Sequence, residues 1–114
     1  MAAEEARAVR IRLVGRRWKL SFLEDLARTL KEIYGEDTTV RVNSFLVQNA
    51  RLPILDFDVI YSGDDSKLDE ARRAVEDVLR NHGYPLGRLL TVKEVTVRLG
   101  PAETAAGEGG QEAA

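Results

Sequence analysis

The chain of 114 residues has no cysteine, one histidine, one tryptophan and three prolines, and aromatic residues make up only 6% of it. Without cysteine there is no disulfide framework, no thiolate nucleophile and no thiolate metal site. A lone histidine, His82, argues against a zinc site of the usual multi-histidine kind within one chain. No apolar run approaches the ~20 residues that a membrane-spanning helix needs, and no basic-then-apolar leader pattern opens the sequence. These absences point to a cytoplasmic domain with no metal, no cofactor and no membrane partner.

What is present is a globular composition, 44% apolar and 32% charged, in a length suited to one two-layer core. Residues 7–100 read as a single domain. Residues 1–6 look loose and flexible. Residues 101–114, PAETAAGEGGQEAA, hold Glu103, Glu108 and Glu112 but no large apolar side chain. With nothing to bury, they are expected to form a disordered acidic tail.

Between these ends the hydrophobic period switches between two and 3.6. Val9, Ile11 and Leu13 alternate with Arg10 and Arg12, the mark of a half-buried strand. Ser21-Phe-Leu-Glu24 reads as a capping box that starts a helix with an apolar stripe of Leu23, Leu26, Ala27, Leu30, Ile33 and Tyr34, stopped at Gly35. Strands are expected over 39–43 and 54–61. A second box at Ser66 opens a helix with Leu68, Ala71, Val75, Val78 and Leu79 inward, ended by His82-Gly83-Tyr84-Pro85. Val95, Val97 and Leu99 alternate in a last strand, with a bulge near Lys93 because Leu90 and Val92 fall on the other parity.

Strand–helix–strand–strand–helix–strand is the ferredoxin-like βαββαβ order. It predicts an α+β, two-layer sandwich whose antiparallel four-stranded sheet runs 4-1-3-2, with two helices on one face. Core candidates on the strands are Val9, Ile11, Leu13, Val40, Val42, Leu55, Phe57, Val59, Tyr61, Val95, Val97 and Leu99. The other sheet face then shows Arg10 and Arg12 beside Asp56 and Asp58, which can pair across strands.

The net charge of −2 hides segregation. Residues 1–100 carry +1, and arginine supplies 13 of the 17 cations. Three segments, 15–23, 44–55 and 80–93, contain no acid at all, and the predicted topology gathers them at one end. The opposite end receives Glu36, Asp37, Asp64 and Asp65. A basic, partly aromatic end invites an anionic partner.

Six residues carry that expectation: Arg16, Arg17, Trp18, Lys19, Arg51 and Arg88. Arginine offers a bidentate fork for phosphate, tryptophan a stacking face, and the start of the first helix free amides. The bland alternative is a solvated basic loop whose Trp18 caps the core. Phe57 and Tyr61 share the core parity while two aspartates face outward, which disfavours an RRM-type base platform. His82 reads as a helix C-cap, and Asp64-Asp65 as dipole partners at a helix start.

The leading expectation is therefore a non-enzymatic nucleic-acid-binding domain or complex subunit, for RNA in preference to DNA. The alternative is a homo-oligomeric, ACT-like regulatory module that binds a small ligand between chains. Val14-Gly15-Arg16 faintly resembles the phosphate cradle of the acylphosphatases, which share this fold. That resemblance would imply a hydrolase binding phosphate after the first strand, but the family's further glycines are replaced here by Arg17-Trp18-Lys19.

Overall fold

A computed structural model describes residues 4–99. The six main elements appear in the expected order: β1 (Glu4–Val14), α1 (Leu20–Tyr34), β2 (Thr39–Val47), β3 (Leu52–Ile60), α2 (Leu68–Asn81) and β4 (Leu89–Leu99), the last preceded by a 3₁₀ turn at Leu86–Arg88. The strands form one antiparallel sheet in the order β2-β3-β1-β4. This is the ferredoxin-like arrangement. The expected tail at 101–114 lies outside the described residues, as do residues 1–3. Glu4–Ala6, expected to be loose, instead pair with Leu99–Val97 at the start of β1.

Alternation on β1 and β3 sends Val9, Ile11, Leu13, Leu55, Phe57 and Val59 to one sheet face. There they form a single cluster with Phe22, Leu26 and Leu30 of α1 and Ala71, Val75, Val78 and Leu79 of α2. Phe22 is wholly buried although the stripe read from sequence was centred one residue later, on Leu23. The helix turns so that Phe22, Leu26 and Leu30 (spaced i, i+4, i+8) lead, and Leu23 packs only at the margin.

Neither capping box forms. Lys19, not Ser21, precedes α1, and no side chain caps it. The Lys19 amide is held by the Tyr84 hydroxyl at 2.9 Å, and its carbonyl accepts from the Leu23 amide. A tertiary contact has thus displaced the local motif by two residues. In α2 the cap is Lys67, at φ 53°. The carboxylate of Asp65 accepts the Lys67 amide at 3.0 Å, while the Ser66 carbonyl is taken by the Tyr34 hydroxyl.

The parity of β4 is the main correction. Register pairs Ile11 with Val92, Ala8 with Val95 and Ala6 with Val97, and a bulge separates Arg12 from Leu13. The bulge lets Leu89 and Val92 both join the core, which leaves Val95, Val97 and Leu99 on the opposite face. Val42 was also expected inside and is 51% exposed, because β2 is the sheet edge.

That opposite face is charged but not open. Arg10 grips Asp58 with two hydrogen bonds of 2.9 Å, and Arg12 grips Asp56 at 2.9 and 2.8 Å. The aspartate side chains are only 9% and 4% exposed. The Asp58 hydrogen bond, working against burial, raises the Arg10 guanidinium above its ordinary range, and Asp56 does the same for Arg12. The Arg12 guanidinium also lies 5.3 Å from the Phe45 ring. Beyond the end of β3, residues 4–7 of β1 continue their ladder with β4, while Arg7 is also held by the chain after β3, its carbonyl accepting the Tyr61 amide and its guanidinium donating to the Gly63 carbonyl. Arg41 on the far edge donates to the Arg98 carbonyl at 3.2 Å, so this ribbon bends toward the charged face, on which Ala8 and Val97 are buried.

Asp56→Ala is expected to cost about 3 kcal/mol, since it strands Arg12, to which no other carboxylate among the described residues is hydrogen-bonded; urea denaturation measures it. Two tyrosines give a contrast. Tyr34→Phe removes a bond to Ser66 and should cost about 1 kcal/mol. The buried Tyr61 hydroxyl meets no partner among the described residues, so Tyr61→Phe should leave stability unchanged or raise it. Burial, with Tyr61 and nearby acids, raises the ionisation of Tyr34 above its usual range. The unfolded chain then loses this proton first, and stability should fall as pH climbs above ~10, less steeply in Tyr34→Phe.

Candidate nucleic-acid interface

The β1–α1 loop, the β2–β3 hairpin and the α2–β4 connection meet at one end of the sheet, and an aromatic cluster joins two of them. Trp18 stacks on Phe22 with ring centres 5.0 Å apart and planes at 23°, and Tyr84 closes on both rings at 4.9 and 5.0 Å. The Trp18 indole N–H donates to the Gly15 carbonyl at 3.1 Å. Its face is therefore occupied within the chain. Trp18 caps the core, the blander of the two readings that its sequence context allows.

Arg88 lies over this cluster, its guanidinium carbon 4.8 Å from the Trp18 ring and 5.0 Å from Tyr84. It also donates to the Arg16 carbonyl at 3.5 Å, and so ties the α2–β4 connection to the first loop. Lys19 reaches the other way, its ammonium donating to the His82 carbonyl at the end of α2, 2.9 Å away. Both cations are engaged, Arg88 by aromatic faces and Lys19 by a helix terminus whose partial negative charge suits it.

Arg16 and Arg17 differ. Both are exposed, and neither guanidinium meets an acceptor among the described residues. Arg17 adopts φ 61°, which turns the chain sharply before the helix. Arg51 sits at φ 51° in the turn that ends the β2–β3 hairpin, exposed, with its amide on the Gln48 carbonyl. The hairpin is fixed to the first loop by the Gly15 amide donating to Pro53 at 3.0 Å.

Between the loop and the hairpin lies a groove of about 510 Å³. Trp18, Leu23, Leu46, Pro53 and Leu55 give it an apolar lining, and Arg16 and Arg17 border it. The first turn of α1 beside it has no acidic residue and no side-chain cap, so its leading amides and positive dipole end stay available to an anion.

The space above Gly15 is not a free phosphate cradle. Gly15 has φ 139°, and a Cβ there would stand 2.4 Å from an Arg88 guanidinium nitrogen and 3.3 Å from Trp18. Glycine is required both by its backbone and by the side chains laid across it. The feature that made this position resemble an acylphosphatase loop is thus explained by close packing of Arg88 and Trp18.

His82 is the C-cap of α2, as its sequence context indicates, and it also meets an acid from outside the loops. Asp25 supplies it from α1: its carboxylate accepts a hydrogen bond from His82 Nε2 at 2.9 Å. Phe22 meets the same imidazole edge-on at 5.7 Å. Asp25 falls three residues after Phe22, on the same helix face, and that spacing was the available signal. The pair joins α1 to the end of α2. Among the described residues no cluster of three or more metal-ligating side chains occurs, and no helix is long and apolar enough to cross a membrane.

No protein-family model matches the chain, and no curated protein or solved structure matches it significantly. Function must be argued from this end of the molecule.

With the helix start anchored by Lys19 and Tyr84, Ser21→Ala should alter stability by less than ~0.5 kcal/mol. His82→Ala should cost about 1 kcal/mol, because it removes the bond that joins Asp25 to the end of α2, leaving Asp25 only Arg28, and thins the aromatic cluster. Chemical denaturation of the two variants side by side checks both, and the reverse ranking would restore the Ser21 cap.

Proposed function

We propose that the protein is a non-enzymatic nucleic-acid-binding domain, or the nucleic-acid-binding subunit of a larger complex, and that its ligand is single-stranded RNA. The observation that carries this reading is the pair of exposed guanidinium groups, Arg16 and Arg17, bordering an apolar groove at an uncapped helix start. Phosphate oxygens suit the two forks and the free amides, and a base or ribose suits the apolar lining. Arg51 at the hairpin tip extends the basic surface along a strand of polymer.

The reading assigns different work to the six residues expected at this end. Arg16, Arg17 and Arg51 contact phosphate. Lys19 and Arg88 hold the surface in shape, and Trp18 meets the ligand only as part of the groove wall, its N–H staying on the Gly15 carbonyl. RNA is preferred over duplex DNA because the basic groups lie on loops and a hairpin, whereas major-groove reading calls for an inserted helix or ribbon. The charged sheet face contributes nothing to binding, since its arginines are spent on Asp56 and Asp58.

The same reading takes both helices to cover one sheet face, as in ferredoxin-like sandwiches; its support is the shared cluster of α1, α2 and one parity of β1 and β3. A hydrolase reading has lost its motif to the packing above Gly15. Cytoplasmic location is part of this proposal.

Fluorescence anisotropy with labelled single-stranded and duplex RNA over a salt series is the test. Wild type should bind the single strand with a salt-steep isotherm, and Arg16→Glu with Arg17→Glu together should abolish binding. Neutralising one arginine should lower the salt slope by about 0.7 for a single strand. No affinity at low salt, near ~50 mM, would end the proposal.

A further inference from the structure

The two edges of the sheet are not alike. β4 carries Lys93, Glu94 and Arg98 along its length and is interrupted by a bulge near Leu90. Charges and bulges are the usual means by which an edge strand avoids pairing with another chain. β2 has neither. Its nine residues, TVRVNSFLV, contain one charge, no proline and no irregularity in register.

That one charge is turned away, since Arg41 is held on the Arg98 carbonyl of its own chain. Meanwhile three large aliphatic side chains of β2 stand in solvent: Val42 is 51% exposed, Leu46 43% and Val47 39%. A long, unguarded, aliphatic edge is a template for strand addition.

We propose that a second copy of this chain pairs with it, β2 against β2 and antiparallel, in a two-fold dimer centred on Asn43. The choice of occupant rests on the fit of the strand to itself. With Asn43 opposite Asn43, Val40 faces Leu46 of the second copy, Thr39 faces Val47, and Val42 faces Ser44. Every such pair keeps its parity, so each side chain stays on its own sheet face and the two sheets join as one of eight strands. No like charges meet, because Arg41 falls opposite Phe45.

The chain flanking β2 is also complementary. Glu36 and Asp37 precede the strand and Arg51 lies in the turn after it. Antiparallel pairing brings the acidic approach of one copy beside the arginine-bearing tip of the other, twice by symmetry. Arg16 and Arg17 belong to the β1–α1 loop and take no part; Arg51 and Leu46 border both surfaces, so the dimer is tested at Val42 and Asn43, which the RNA reading does not use.

Sedimentation velocity on the full chain, over rising concentration, gives the first readout. The expected result is a species of twice the 12.7 kDa chain mass, dissociated by Val42→Lys and unaffected by Thr96→Lys on the other edge. Circular dichroism confirms that each variant is folded, and Val42 is exposed enough to accept the change. Because the chain has no cysteine, the Asn43→Cys variant provides a second readout: mild oxidation should give a covalent dimer, whereas Thr96→Cys should give none. A folded wild type that remains monomeric at millimolar concentration overturns the proposal. So does a dimer that survives Val42→Lys, or one in which Asn43→Cys fails to cross-link.

Discussion

The packing of Trp18 against Phe22 and Tyr84 is the contact on which the basic end depends. It decides where α1 begins, because the Tyr84 hydroxyl that closes the aromatic cluster also holds the Lys19 amide. It decides where Arg88 lies, because the guanidinium is laid over two rings and donates to the Arg16 carbonyl. It leaves Arg16 and Arg17 on a short, sharply turned loop whose two ends are fixed, at Gly15 and at Lys19. Fixed anchors reduce the conformational freedom that arginines lose when they bind, and the contribution of each phosphate contact rises accordingly.

A second constraint operates on the other face of the sheet. Two bidentate Arg–Asp pairs sit where a nucleic-acid-binding sheet would carry aromatic residues, and the ribbon of β1 and β4 bends toward them. Buried ion pairs are costly to desolvate and add little net stability, but they penalise any misregister of β1 on β3 heavily. A slip of one residue would place arginine in the core and aliphatic side chains against aspartate. The pairs thus specify register, and the exposed loops are left to meet a ligand.

Much of the fold was legible in the sequence because β1 and β3 alternate cleanly and both helices carry strong stripes. The Arg–Asp ladder was legible for the same reason, since Arg10, Arg12, Asp56 and Asp58 all fall on one parity. The parity of β4 was not. Val95, Val97 and Leu99 look like a core face, yet Ala6 and Ala8 leave room for them on the other side, toward which the ribbon bends. That bend is a tertiary event with no local signature. Both capping boxes failed for a related reason: Tyr84 and Tyr34, distant in sequence, took the backbone groups that local serines would have governed. At the candidate site, the six residues were found by charge and type. Their division into free and engaged groups followed only from the cluster that Trp18 builds.

The central claim is that RNA meets Arg16 and Arg17 while the aromatic cluster beneath them stays closed. Nuclear magnetic resonance of isotope-labelled protein, titrated with a short single-stranded RNA, addresses it residue by residue. The account requires shifts at the Arg16 and Arg17 side-chain N–H groups and at the first amides of α1. It also requires a Trp18 indole N–H that stays on the Gly15 carbonyl with little change, and a silent Arg10–Asp58 and Arg12–Asp56 face. A Trp18 indole signal that moves as strongly as the arginines, or shifts gathered on the charged sheet face, would contradict it.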